Sequence, residues 1–403
     1  MISLPEAHRI VDGRVKARAV VHCALSEAVG LVLASPVGAD RDLPATPRSA
    51  MDGYAFCRSP AVRAPLCLDI RGEIPAGVAP AFSLRPGECA RIFTGASLPD
   101  GADTVVMQED ATLESTTRVR IDPVPKCGAN VLQQGENARA GTLLLQAGQV
   151  LTPVNIGLCA TVGQAELQVI PKPRIAVLNT GEELLDVTER AAPHQIRDSN
   201  GPMIVALLQL AGFSVCARQR VADREETITT AVQQLLANTD VLLITGGVSV
   251  GNYDFVPAAL QRLGAVQHLH GVAIKPGKPQ LFATLGEDKY IFGLPGNPIS
   301  ALVGLLDLVL PSLRRLSGHP EQSCRPGLRV RSTTALQGRK GQHHFIPVQL
   351  TWSATGPEAT PVTNHGSADL VGVGHGNGFL IVPPDTQVAA GDYLDFLPWG
   401  TLS

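Results

Sequence analysis

From Arg174 onward the chain repeats one pattern: a short apolar run, a loop holding glycine or an acid, then a helical stretch. RIAVL leads into NTGEELL and DSNGPMIVALLQLAG, FSVCARQRV into DREETITTAVQQLL, and VLLIT into GGVSVG and YDFVPAALQRLG. Continuous apolar runs of this length are strands buried on both faces, and helices between them force parallel crossovers. The segment 173–320 is therefore expected to be a three-layer α/β domain with a mostly parallel sheet. Its first helix is expected to be capped by Ser199 or Asn200, with Pro202 in the first turn and Gly212 at the stop. Asp223 is expected to open the second helix, with Glu226 completing a capping box. In such sheets ligands bind outside the carboxyl ends of the strands. TGEE, the Asp223 turn, GGVSVG, KPGKP and LPGNP all fall at that rim.

At 403 residues the chain exceeds one hydrophobic core, which implies about two to three domains. Residues 1–40 and 130–172 read as a discontinuous helical domain, because LSEAVGLVLA and GTLLLQAGQVLTPVNIGLCATVG place apolar residues at helical spacing. Between them, 41–129 breaks into short apolar runs separated by Pro/Gly turns, the texture of a small inserted β domain. After LSGHP, 321–403 reads as a second β domain.

A net charge of −3 gives no basic field for nucleic acid, and 4% aromatic content gives few stacking platforms. Any anion must be held by a local site. The eight cysteines form no CxxC pair or zinc-spaced cluster, which points to scattered thiols in a reducing compartment. The N-terminus lacks a signal-peptide core, and the most apolar stretch, ISALVGLLDLVLPSL, is short and contains Asp307. A cytoplasmic protein outside the membrane is expected. His268, His270, His343 and His344 lack partners at metal-ligand spacing and read as strand or surface residues.

At the rim, glycines let backbone N–H groups approach an anion, and the following helices add partial positive charge. GGVSVG is neither a Walker loop nor a dinucleotide fingerprint, so alone it reads as a tight strand-to-helix turn. Lys275 and Lys278 in KPGK read either as solvated turn residues or as the wall of an anion site. The same rim carries Glu182, Glu183, Asp223 and Asp254, of which Asp223 and Asp254 can also serve as helix caps. Carboxylates repel a phosphate unless a divalent cation lies between them, and oxygen ligands favour Mg²⁺. Acids for a metal and lysines for an anion together suggest chemistry on a phosphorylated substrate.

Several stretches, in order, carry a resemblance: RDLPATPRSAMDGYAF, RIFTGASLPDGADTVVMQED, NTGEEL, DSN, TGGVSVGNYDFV, IKPGKP, GLPGNPIS and NHGSADLVGVGHGNGFLIVP. Together the chain resembles the molybdopterin molybdenumtransferases, the family of MoeA and the gephyrin E domain, from about Leu43 to the C-terminus. The resemblance implies a multidomain α/β and β protein whose central domain binds molybdopterin. It also implies a homodimer of elongated, four-domain subunits with composite sites. The implied reaction needs Mg²⁺ as cofactor and molybdate as substrate: adenylyl-molybdopterin is cleaved, molybdenum enters the dithiolene, and AMP leaves. An adenylyltransferase upstream and molybdoenzyme acceptors downstream are the implied partners.

Carried over by position, Lys275, Lys278, Ser300 and Ser367 would line a molybdate pocket flanked by Pro295 and Pro298. Gly246, Gly247 and Ser249 would contact the substrate. Glu183 and Asp254 would act on the metal and adenylyl phosphate, with Asp223 assisting, while Asp52 and Thr94 would reach the site from the partner subunit. Three departures accompany the resemblance. Arg224 replaces one of two adjacent acids, an acid-bearing stretch after GENARA is missing, and the segment GRKGQHHF is stretched around Arg339. The missing acids raise a second reading, a molybdopterin-binding or scaffold protein without turnover. A third, a nucleotide hydrolase built on a related domain, does not account for SAMDGYA or the C-terminal β domain.

Overall fold

The computed structural model describes residues 1–59, 63–249, 255–354 and 356–400. They form two compact units, one of 1–34, 147–152 and 166–403, the other of 35–146 and 153–165.

The first unit is built on a six-stranded sheet. Its spatial order is Val215–Val221, Ile175–Thr180, Val241–Thr245, Lys289–Leu294, Leu281–Leu285 and Val266–His270. The first four strands pair in parallel, and Leu281–Leu285 runs against both its neighbours. Alternate residues feed two cores, as strands buried on both faces require. Ile175, Val177, Val241 and Leu243 join the core beneath Asn200–Leu210 and the helical run from Pro298 to Leu316. Ala176, Leu178, Leu242 and Ile244 join the core beneath Glu225–Ala237 and Val256–Arg262. This is the expected three-layer arrangement.

The run after Pro298 contains a π-helical turn at Leu305–Val309, where Asp307 meets His8 Nε2 at 2.8 Å. Among the described residues no helix is long and apolar enough to cross a membrane. At the C-terminal end, strands Leu328–Ser332, His343–Ser353, Gly356–Pro361, Gly378–Val382 and Tyr393–Pro398 close into a barrel. The two-residue strand Ile274–Lys275 pairs in parallel with His343–His344, stitching the lysine loop to that barrel.

The second unit carries another six-stranded sheet, made from residues between Gly53 and Ile121, with a core on each face. Gly53 has no alternative, since a Cβ there would stand 1.8 Å from Val106 O. Here and at the N-terminus part of the expected helix is absent. LSEAVGLVLA forms a 3-10 turn at Leu25–Glu27 and then a strand, Val32–Leu33, that pairs with Val169 and Ile170. Gly30, at φ +75°, ends the helical path, and the β-branched Val32 continues as strand. Leu143–Leu145 is likewise a strand against Val37–Gly38, so the later helix is only Pro153–Thr161.

The cap of helix Asn200–Leu210 also differs from expectation. Ser199 occupies the N-cap but its side chain makes no cap bond. Asp198 Oδ1 instead accepts from Gly201 N at 2.9 Å, and its Oδ2 accepts from Arg218 Nη2 at 2.9 Å. A buried carboxylate that meets both the helix end and a cation outcompetes a serine hydroxyl. Asp198→Ala is expected to cost about 2 kcal/mol in urea melts, against less than about 0.5 kcal/mol for Ser199→Ala. Equal losses would return the cap to Ser199.

Candidate functional site

Strands Ile175–Thr180 and Val241–Thr245 are neighbours, but the chain leaves them toward opposite edges of the sheet. A crevice opens at such a reversal. Here it is a cavity of about 430 Å³, walled by Thr180, Glu183, Asp223, Thr245 and the loop Gly246–Ser249. Asn179 Nδ2 bridges the two strands to Thr245 Oγ1 at 2.7 Å. Gly246 and Gly247 both have positive φ, 89° and 59°. A Cβ on Gly246 would lie 2.2 Å from Thr180 O, and one on Gly247 would lie 2.9 Å from Asp223 Oδ1. Only glycine lets this loop lie so close to its neighbours. The His270 ring holds the loop from outside, with Nε2 2.8 Å from Val248 O.

The acids divide into three cases. Glu183 and Asp223 share the crevice wall. Asp223 does not open the following helix as expected. That helix starts at Glu225 behind Arg224, while Asp223 Oδ1 accepts from Thr180 Oγ1 at 3.0 Å. The crevice therefore keeps a carboxylate that the sequence pattern assigns to a cap. Asp254 lies outside the described residues. Arg224 pairs with Glu182 at 3.1 Å, both of them exposed, a contact worth at most about 1 kcal/mol.

A second cavity, about 280 Å³, is lined by Lys275, Gly277, Lys278, Ser300, Gln342 and Ser367. It shares Pro279, Pro295 and Asn297 with the crevice, so those three residues form a wall between the two spaces. Pro298 starts helix Pro298–Gly304 and so directs Ser300 toward the cavity. Ser367 arrives from the C-terminal β region. Its carbonyl accepts from Ile299 N at 3.0 Å, and its hydroxyl accepts from Asn297 Nδ2 at 3.1 Å. Both lysines are exposed, and among the described residues neither makes a salt bridge.

Arg339 lines a neighbouring cavity with Lys340 and His344, and Gln342 belongs to both spaces. Burial, then the charges of Arg339 and Lys275, push the His344 imidazole below its ordinary pKa. The stretched GRKGQHHF loop thus keeps Arg339 close to the lysines but off the wall of their cavity.

Asp52 and Thr94 belong to the second unit. Thr94 donates both its amide and its hydroxyl to Asp52 Oδ1, at 2.7 and 2.8 Å. These bonds, from the amide first, hold the Asp52 carboxyl below its usual pKa.

Sequence reasoning missed three contributors. Asn297 and Gln342 line the lysine cavity, and the Pro-Gly-Asn-Pro turn hints only at the former. Asp369 shapes the Ser367 loop, accepting from His365 N at 2.8 Å and Gly372 N at 3.0 Å. Its signal is the short helix Leu370–Val373 that it caps.

Among the described residues no three His, Cys, Asp or Glu side chains converge on one point. Glu183 and Asp223, with the hydroxyls of Thr180 and Thr245, form an all-oxygen donor set. Such a set fits Mg²⁺, which keeps several waters and borrows phosphate oxygens.

Family models match three consecutive segments: the MoeA N-terminal region (domain I and II) over residues 2–163, a probable molybdopterin binding domain over 176–315, and the MoeA C-terminal region (domain IV) over 329–399. A molybdopterin molybdenumtransferase from Nostoc is 35% identical over 376 residues, 90% of this chain and 85% of the relative. Molybdopterin molybdenumtransferase 2 from Mycobacterium tuberculosis is 34% identical over 98% of both chains. A molybdopterin biosynthesis MoeA protein from Pyrococcus horikosii has a solved structure that superposes with TM-score 0.81 at 27% identity, covering 100% of each chain.

The Asp52–Thr94 pair yields a pH prediction. A lowered carboxyl pKa contributes stability in full above the ordinary value of about 3.9, and that contribution is lost as pH falls through the folded value. In an NMR titration Asp52 should titrate below the ordinary value, and Thr94→Val, which keeps the amide, should bring it part of the way back. An Asp52 that titrates normally would mean the two bonds do not persist in solution.

Proposed function

The chain belongs to the molybdopterin molybdenumtransferase family, and on that premise we propose that it inserts molybdenum into adenylyl-molybdopterin with release of AMP. One observation carries this reading. An acid-walled crevice and a lysine-walled cavity lie back to back, sharing Pro279, Pro295 and Asn297. A substrate with a phosphate at one end and a metal-accepting dithiolene at the other needs two such subsites. The scaffold reading is not favoured, since the relatives matched along nearly the whole chain carry transferase names.

In this reading Gly246, Gly247 and Ser249 cradle the adenylyl phosphate with backbone donors at the strand end. Glu183 and Asp223 would hold Mg²⁺ against that phosphate, with Asp254 as the third acid. When bound, the ion supplies neutralisation of the phosphate oxygens and of the leaving AMP. Lys275 and Lys278 offer ammonium groups to molybdate, and Ser300 and Ser367 offer hydroxyls. Fixed donors around a small tetrahedral ion keep it in line with the thiolates that replace its oxygens.

Asp52 and Thr94 are proposed to complete the site from the partner subunit of a homodimer. Their pre-formed hydrogen bonds support a role that needs an oriented carboxylate. Sedimentation showing only monomers under turnover conditions would remove this part of the reading.

The experiment for the whole reading incubates purified protein with adenylyl-molybdopterin, Mg²⁺ and molybdate and follows AMP. Lys278→Ala should raise the molybdate needed for half-maximal AMP release by roughly ten- to a hundredfold, the worth of one charge-assisted contact. Asp223→Asn should instead raise the Mg²⁺ requirement and leave the molybdate dependence nearly unchanged. No AMP above background with wild-type protein would reject the transferase reading.

A further inference from the structure

Gln280 follows the loop that carries Lys275 and Lys278, and its side chain is fully buried beneath it. Its Nε2 donates to Ser300 O at 3.3 Å, while among the described residues its Oε1 has no partner. The backbone ties the residue to the same loop, with Gln280 N donating to Lys278 O at 2.9 Å and Gly271 N to Gln280 O at 2.8 Å. Two glycines make room for the amide. A Cβ on Gly277 would stand 3.1 Å from Gln280 Nε2, and one on Gly304 would stand 2.3 Å from Oε1.

Stability does not explain this choice of residue. A buried acceptor without a partner is unfavourable for folding, and an apolar side chain of similar volume would remove the penalty. What an apolar side chain cannot supply is the link to Ser300. Lys275, Lys278 and Ser300 line one cavity, with Ser300 on the first turn of Pro298–Gly304, and a Cβ on Gly277 between the lysines would stand 3.3 Å from Ser300 O. The Gln280 amide joins the end of the lysine loop to that turn.

We propose that Gln280 is a positioning residue of the oxyanion cavity, fixing the lysine loop against the helix of Ser300. The inference rests on the molybdate reading of that cavity. Four donors match a small tetrahedral ion only when their spacing is held to a fraction of an ångström. Removing the brace should therefore weaken anion binding even as it relieves an unmet hydrogen bond.

The test measures molybdate uptake by equilibrium dialysis, AMP affinity, and thermal melts on the full chain, comparing wild type with Gln280→Leu and Gln280→Met. Gly304→Ala, whose added methyl displaces the amide without deleting it, serves as an independent variant. Expected for Leu and Met are melting temperatures equal to or above wild type, molybdate binding about tenfold weaker, and AMP affinity unchanged. Gly304→Ala should show the same selective loss of molybdate. Wild-type molybdate affinity in all three variants overturns the inference and leaves the cavity assignment standing. Parallel losses of stability, molybdate and AMP binding also overturn it, since they reduce Gln280 to a folding residue. Wild-type protein that takes up no molybdate saturably overturns the cavity assignment itself, and the inference with it.

Discussion

Like charges set the layout of the site. Two unit charges 4 Å apart near a protein surface interact by about 4 kcal/mol, enough to expel an oxyanion from beside a carboxylate. The molecule handles this with a stiff partition. Pro279 and Pro295, whose rings fix their backbones, and Asn297, pinned to Ser367, separate the acids of the crevice from the lysines of the second cavity. Each subsite can then hold its own sign of charge while both remain open to one extended ligand.

That partition depends on the sheet beneath it. The topological reversal between Ile175–Thr180 and Val241–Thr245 creates the crevice, and the glycine loop folds back over Thr180 because no side chain intervenes. The lysine loop is anchored from two directions. Strand pairing with His343–His344 ties it to the C-terminal barrel, and the buried amide of Gln280 ties it to the helix of Ser300. Ser367 closes the cavity only because Asp369 holds its loop with two backbone amides. Stability is spent at such points: an unmet acceptor on Gln280 and positive-φ glycines at the rim favour geometry over folding energy.

Much of this was legible in the sequence where local chemistry and global packing agree. Continuous apolar runs and glycine-ended strands identified the three-layer sheet, and the Pro-Gly loops marked the rim on which Lys275, Lys278 and Ser300 meet. The sequence misled where short-range signals compete. LSEAVGLVLA has helical spacing, yet Gly30 and the partner strand at Val169 draw it into a sheet. Asp223 has the pattern of a cap, yet a threonine hydroxyl on the adjacent strand draws its carboxylate into the crevice. Asp198 caps a helix from outside the expected position because Arg218, on a neighbouring strand, pairs with it. The contributions of Gln342 and Gln280 depend on contacts far apart in the chain, and no local pattern marks them, whereas Asp369 is marked only by the short helix it caps.

The lysine cavity is proposed as the oxyanion site. Crystals soaked in molybdate and measured above the molybdenum absorption edge test it most directly, because the anomalous signal locates the metal without reference to the protein map. The strongest peak is expected among Lys275, Lys278, Ser300 and Ser367, on the far side of Pro279 and Pro295 from Glu183 and Asp223. A strongest peak beside Arg339 and Lys340, or within the acid-walled crevice, with the lysine cavity empty, would contradict it.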